Sequence, residues 1–270
     1  MKPKKSLGQN FLTSVPARIE IVKAGGVEKS DTILEIGPGK GFLTEEILKT
    51  GAKVVAIEKD QDLVEVLNQK FKSEIEKEQL VLVNEDILEF DPADHKVLPS
   101  TYKLIANIPY NITGAIIRKF LSGSFQPSVM VLLLQKEVAE RAVARDGKES
   151  ILSLSVKAYG DPSIPYRVKR GSFNPIPNVD SAVLKLDSIQ RKSFISKKHE
   201  NLFFEVVKAG FSHKRKILVS NLRESFKDFD FPILFKELNL PEKVRAEDLK
   251  LGNWLDISKK LLEKQAQVVD

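Results

Sequence analysis

The chain has 270 residues, 42% of them hydrophobic, a net charge of +6 and no cysteine. That composition excludes a disordered chain, a disulfide scaffold and any thiolate nucleophile or thiolate metal site. The three histidines, His95, His199 and His213, are spread too widely to suggest a metal site. With neither a secretory leader nor an apolar run of about 18 residues, the expectation is a soluble cytoplasmic protein without metal or membrane contact.

In chain order, residues 32–36 read as a short strand, 37–41 as a glycine turn and 42–49 as a helix with Phe42, Leu43, Ile47 and Leu48 on one face. Residues 53–57 form a β-branched second strand, and 62–71 a second helix. Strands follow at 80–83 and 103–106, a helix at 112–121, an apolar strand at 129–134, a helix at 136–145 and a last strand at 182–186. A strand apolar throughout is covered on both faces, as in a parallel sheet. Strands alternating with helices predict βαβ units, so the fold class is α/β, Rossmann-like and doubly wound.

After Asp187 the pattern changes. Helical spacing appears at 201–210, 214–223, 232–238 and 254–262, without strand signals. The predicted division is an α/β domain over 1–187 and a small all-helical domain over 188–270. Residues 1–187 hold 26 Lys and Arg against 25 Asp and Glu; residues 188–270 hold 17 against 12. The excess charge in the last third suggests a nucleic-acid or membrane-surface contact, although a solvated lysine-rich face gives the same count.

Ligands of open α/β sheets bind at the carboxyl ends of the strands. Four such ends carry polar or glycine residues: Gly37, Glu58, Asp86 and Asn107. The first loop, Gly37-Pro38-Gly39-Lys40-Gly41, is neither the dinucleotide fingerprint, because position 42 is Phe, nor a P-loop ending. Glu58, 21 residues after Gly37, is placed to accept the hydroxyls of a ribose. Asp86 suits the amino group of an adenine, and equally the cap of a turn.

Asn107-Ile108-Pro109-Tyr110 has a chemistry that can be argued directly. An adenine N6 is a poor nucleophile because its lone pair is conjugated into the ring. The Asn107 side-chain oxygen and a carbonyl held by the rigid Pro109 segment would accept its two hydrogens and free that lone pair, while Tyr110 stacks on the base. Asn cannot serve as a general base, so catalysis would come from positioning and electrostatics.

The chain resembles the ribosomal RNA adenine dimethyltransferase family, in its bacterial small-subunit branch. The resemblance rests on Ser6-Leu7-Gly8-Gln9-Asn10-Phe11-Leu12, on Leu34–Gly41, on Asn107–Tyr110 and on Phe173–Ser181. It implies S-adenosylmethionine as methyl donor, bound by Asn10 and Leu12 from the N-terminal arm, Gly37 beside the methionine part, Glu58 on the ribose, Asp86 on the adenine amino group and Asn107 at the methionine end. It implies that Tyr110 and Phe173 sandwich a flipped target base, although by its residue type alone Phe173 reads as core. The implied reaction is dimethylation of two adjacent adenosines near the 3′ end of small-subunit rRNA in the 30S particle, by a monomer with a role in ribosome biogenesis.

The resemblance makes residues 1–187 the cofactor-binding catalytic domain and 188–270 a basic RNA-binding domain, with Lys214, Arg215 and Lys216 as expected RNA contacts. Arg245–Leu249 resembles a signature of the small-subunit branch. Rival readings are a large-subunit resistance dimethylase and a non-catalytic 30S assembly factor.

Overall fold

The computed structural model describes residues 9–95, 101–108 and 112–267. Two compact units are present, one formed by Met1–Glu140 with Gly160–Gln190, the other by Arg141–Tyr159 with Arg191–Asp270. The sequence reading placed residues 141–159 in the first domain, whereas the chain folds them with the second.

The first unit opens with β1 (Phe11–Leu12) and α1 (Val15–Ala24). Ser14 caps α1 by accepting from the Ala17 amide at 3.4 Å, and Pro16 sits in its first turn, where no intrahelical donor is lost. Then follow β2 (Thr32–Ile36), α2 (Phe42–Leu48), β3 (Lys53–Glu58), α3 (Gln61–Lys70), α4 (Lys72–Glu76), β4 (Leu80–Asn84), β5 (Tyr102–Asn107), α5 (Thr113–Ser122), β6 (Val129–Gln135) and α6 (Lys136–Ala142). Past α7 (Ile151–Lys157), which belongs to the second unit, come β7 (Asp161–Val168), β8 (Phe173–Asn174) and β9 (Ser181–Asp187).

Seven strands form one sheet in the order β4-β3-β2-β5-β6-β9-β7. The five strands β4 to β6 run parallel, and β9 and β7 close the sheet antiparallel. Strand order reverses direction between β2 and β5, so the crevice at their carboxyl ends is the natural ligand position. The apolar sequences of β2, β5 and β6 are explained by burial: Ile33, Leu34, Leu104, Ile105, Val131 and Leu132 are fully covered.

β7 was not expected. Its sequence, Asp-Pro-Ser-Ile-Pro-Tyr-Arg-Val, carries two prolines, which cannot donate to a ladder; they are tolerated because β7 is an edge strand with irregular register between Ser163 and Tyr166. A separate two-stranded ladder pairs β1 with β8 antiparallel, Leu12 opposite Phe173 and Phe11 opposite Asn174.

The second unit is helical: α7, then α8 (Lys197–Gly210), α9 (Leu218–Ser225), α10 (Phe231–Glu237) and α11 (Leu251–Gln267). Its core holds Trp254, Phe203, Phe231 and Phe235, all fully buried. Tyr159, from the segment that joins this unit, donates its hydroxyl to the Glu200 carboxylate at 2.5 Å and stacks on Phe204. That hydroxyl on one oxygen, with Lys197 at 3.0 Å and Arg191 at 3.4 Å on the other, is what allows a carboxylate at 1% exposure. No helix among the described residues is long and apolar enough to cross a membrane.

Candidate active site

The strand ends expected to carry the chemistry converge. Asn10, Leu12, Gly37, Glu58, Asp86 and Asn107 all line one open cleft of about 270 Å³ at the carboxyl edge of the sheet. Pro109 and Tyr110, the rest of the expected catalytic motif, lie outside the described residues.

The glycine loop forms the floor. Gly37, Gly39 and Gly41 adopt left-handed backbone with φ of 63°, 60° and 72°, a region that side chains with a Cβ disfavour. Two of them are also sterically required. A Cβ on Gly39 would meet the Phe11 ring at 3.0 Å, and a Cβ on Gly41 would come within 2.4 Å of the Phe71 ring. The arm thus lies directly on the loop, with Lys40 above the Phe11 ring at 4.9 Å from its centre.

Glu58, at the end of β3, is a buried carboxylate held by backbone amides. Its Oε2 accepts from Gly39 at 3.1 Å and its Oε1 from Asp60 at 2.9 Å. Burial pushes its pKa up, and those two amide bonds oppose the shift. Each oxygen retains a lone pair for a further donor.

Asp86 makes the turn cap anticipated for it and adds an ion pair that the sequence did not suggest. Its Oδ1 accepts from the Leu88 amide at 2.9 Å, the turn cap, while its Oδ2 takes the Lys59 ammonium at 2.6 Å, at the cleft wall. The Lys59 hydrogen bond, followed by the Leu88 amide, holds its carboxyl below the usual range.

Asn107 ends β5. Its Nδ2 donates to the Asn10 carbonyl at 3.1 Å, tying the arm to the strand end, and its Oδ1 is by type an acceptor.

Glu35 and Lys59 were missed in the sequence. Glu35 lines the cleft at 1% exposure, and its Oε2 has no hydrogen-bond partner among the described residues. Burial raises its pKa to about 8, so it is mostly protonated at neutral pH. A glutamate between Leu34 and Ile36 on a strand otherwise written as an apolar run is the signal that could have marked it. Lys59, next to Glu58, gave no signal until β3 and β4 placed it beside Asp86.

Phe173, which the resemblance places against the target base, is buried in this structure. It is 2% exposed, belongs to the same hydrophobic cluster as Leu12, Ile21 and Val183, and is not among the residues lining the cleft. Its backbone pairs opposite Leu12 of the arm. The core reading of its residue type is the one realised.

In the second unit, Lys214, Arg215 and Lys216 are exposed in the turn between α8 and α9, not in a helix beginning at 214 as the periodicity suggested. The turn is pinned from α9. Asn221 donates to the carbonyls of Gly210 at 2.6 Å and His213 at 3.1 Å, and Glu224 takes Lys216 at 2.6 Å.

Comparison with known proteins adds an independent line. A family model described as ribosomal RNA adenine dimethylase matches residues 1–263. A ribosomal RNA small subunit methyltransferase A from Dehalococcoides mccartyi (strain CBDB1) is 38% identical over 257 residues, covering 94% of this chain and 87% of the relative. The crystal structure of a dimethyladenosine transferase from Plasmodium falciparum aligns with a TM-score of 0.81 at 27% identity, covering 94% of this chain and 98% of that one. The 23S rRNA methyltransferase ErmE shares the fold, with a TM-score of 0.74 at 22% identity over 93% of this chain and 99% of that one.

Proposed function

The chain belongs to the ribosomal RNA adenine dimethylase family, and on that premise we propose that it uses S-adenosylmethionine to dimethylate the N6 amino groups of two adjacent adenosines near the 3′ end of 16S rRNA in the 30S particle. The observation that carries this reading is the chemistry of the cleft. It presents acceptors at three strand ends: the Glu58 and Asp86 carboxylates and the Asn107 amide oxygen. The proposed donor offers hydrogen-bond donors at matching kinds of group, an ammonium, a ribose diol and an adenine amine, so the residues present fit it.

When bound, the cofactor supplies an electrophilic methyl on a sulfonium. The chain supplies placement. Glu58 holds the ribose and Asp86 the adenine amine, while Asn10 and Leu12 close the arm over the glycine loop. Asn107 Oδ1 accepts one hydrogen of the target N6 and favours a pyramidal nitrogen whose lone pair is free for in-line attack. Each transfer releases one proton to solvent, and each adenosine is methylated twice. Pro109 and Tyr110 are assigned here by their motif, as the second acceptor segment and the stacking ring. Phe173 acts indirectly, as the buried support of the arm.

In the second unit, Lys214 and Arg215 are the proposed RNA phosphate contacts, with Lys216 partly neutralised by Glu224. The protein acts as a monomer in the cytoplasm, where its substrate resides. Three features speak against the rivals: the small-subunit relative and the Arg245–Leu249 segment against a large-subunit resistance enzyme, and the acceptor set against a purely structural assembly factor.

The test is incorporation of labelled methyl groups into undermethylated 30S subunits, with the product nucleoside identified by mass spectrometry. The expected result is N6,N6-dimethyladenosine at two neighbouring positions. Labelling confined to large-subunit RNA, or 30S binding with no label, would replace the reading with one of its rivals.

A further inference from the structure

Resting on that cofactor assignment, we infer that Lys59 is a positioning residue that fixes the Asp86 carboxylate as an acceptor for a 6-aminopurine, and so sets the cofactor's base specificity. The geometry is a clamp across two strand ends. Lys59 follows the last residue of β3, and Asp86 lies two residues beyond β4. Asn84 holds these ends together, its Nδ2 donating to the Glu58 carbonyl at 2.8 Å and the Lys59 carbonyl at 3.4 Å, and the Glu85 amide donates to Glu58 at 3.2 Å. From this braced end the Lys59 ammonium reaches Asp86 Oδ2 at 2.6 Å, while the Leu88 amide takes Oδ1 at 2.9 Å.

One donor on each oxygen fixes the carboxylate plane, which otherwise rotates freely about its last torsion. Each oxygen keeps a lone pair. Lys59 also lines the cleft, so its alkyl stem covers part of the wall while the charged end stays in solvent.

A carboxylate held ionised only accepts. It pairs with the amino group of adenine and repels the oxygen of a 6-oxopurine. The surrounding charges act in the same sense. Lys119, from α5, donates to the Leu88 carbonyl at 2.8 Å and adds positive charge near Asp86, whereas Glu89 faces Lys59. Glu58 and Glu85 are the remaining acids along this part of the cleft. An exposed lysine–aspartate pair contributes little to stability, so the effect of Lys59 is expected in recognition and not in folding.

The experiment uses the full chain and titrates S-adenosylhomocysteine and its 6-oxo analogue, S-inosylhomocysteine, by calorimetry. The protein carrying Lys59 is expected to favour the amino form by about a hundredfold, as sites built on a polar pairing do. Lys59→Met should lower affinity for the amino form by roughly five- to tenfold, leave the oxo form within about twofold, and so compress the preference. Lys59→Arg should restore it. On an Asp86→Asn background, Lys59→Met should add less than about twofold, because the effect passes through Asp86.

An equal loss for both ligands, tighter binding of the amino form, or an undiminished effect on the Asp86→Asn background would each overturn the proposal. Failure of the unsubstituted chain to bind either ligand would overturn the cofactor assignment itself, before any variant is compared.

Discussion

The cleft of the first unit and the basic turn of the second hold their charged groups in opposite ways. In the cleft, carboxylates sit at strand ends, buried or half-buried, and backbone amides fix them: Gly39 and Asp60 for Glu58, Leu88 for Asp86. In the turn, cations stand in solvent and side chains of α9 pin the backbone beneath them. The first arrangement gives a fixed geometry that a small ligand must match. The second gives a fixed backbone with flexible charges, which suits a phosphate chain whose contacts vary along its length.

That contrast can be broken most severely at Asn107. Asn107→Ala removes both the acceptor for the target amine and the tie to Asn10, and the methylation rate should fall by about 10² to 10³, measured under single-turnover conditions. A fall below tenfold would mean that the strand-end geometry is not what drives transfer.

Glu35 tests whether burial governs the cleft's carboxyls. Its folded pKa, about 8, lies above the unfolded value, so the folded state binds a proton that the unfolded state releases. Its contribution is greatest below the unfolded value of 4.5 and declines as pH rises through 8. Glu35→Gln should flatten that decline by about 2 kcal/mol between pH 6 and pH 8 in denaturant titrations. Parallel curves for the two proteins would refute a buried neutral carboxyl.

In the turn, effects should be smaller and salt-dependent. Lys214→Ala with Arg215→Ala should weaken 30S binding by about tenfold and flatten the dependence of log affinity on log salt by roughly 1.5. Lys216→Ala alone should change binding less than about twofold, because Glu224 already offsets its charge. Equal effects at all three positions would show that the Glu224 pairing gives way on RNA.

The smallest effect is expected at Phe173. Phe173→Leu keeps an apolar side chain in the core and should cost about 1 kcal/mol of stability, with methylation retained within about threefold. Loss of activity at unchanged melting temperature would return Phe173 to the base sandwich.

The sheet was legible because parallel, doubly covered strands are written as apolar runs, and the site because such sheets present their ligand residues at strand ends. Glu58, Asp86 and Asn107 could therefore be found from position alone. β7 was hidden by Pro162 and Pro165, and β1 and β8 by their length, two residues each, too short for any period. The 141–159 segment could not be assigned to its unit because its partners, Phe194, Glu200 and Glu247 among them, lie far along the chain. Pairings such as Lys59 with Asp86, or Lys216 with Glu224, depend on which strand or helix ends meet, and local sequence does not encode that.

The ladder between β1 and β8 sets a timetable for synthesis. The arm that forms one wall of the cleft is made well before its strand partner Phe173–Asn174, and Thr13 donates to the Ser172 carbonyl, 159 residues further along the chain, at 2.8 Å. While the chain is still emerging from the ribosome, the glycine loop and the first five strands of the parallel sheet can form with the arm unpaired. The arm gains its partner only once translation has passed Asn174. A nascent chain halted before that point would carry the carboxylates of the site without the wall that closes over them.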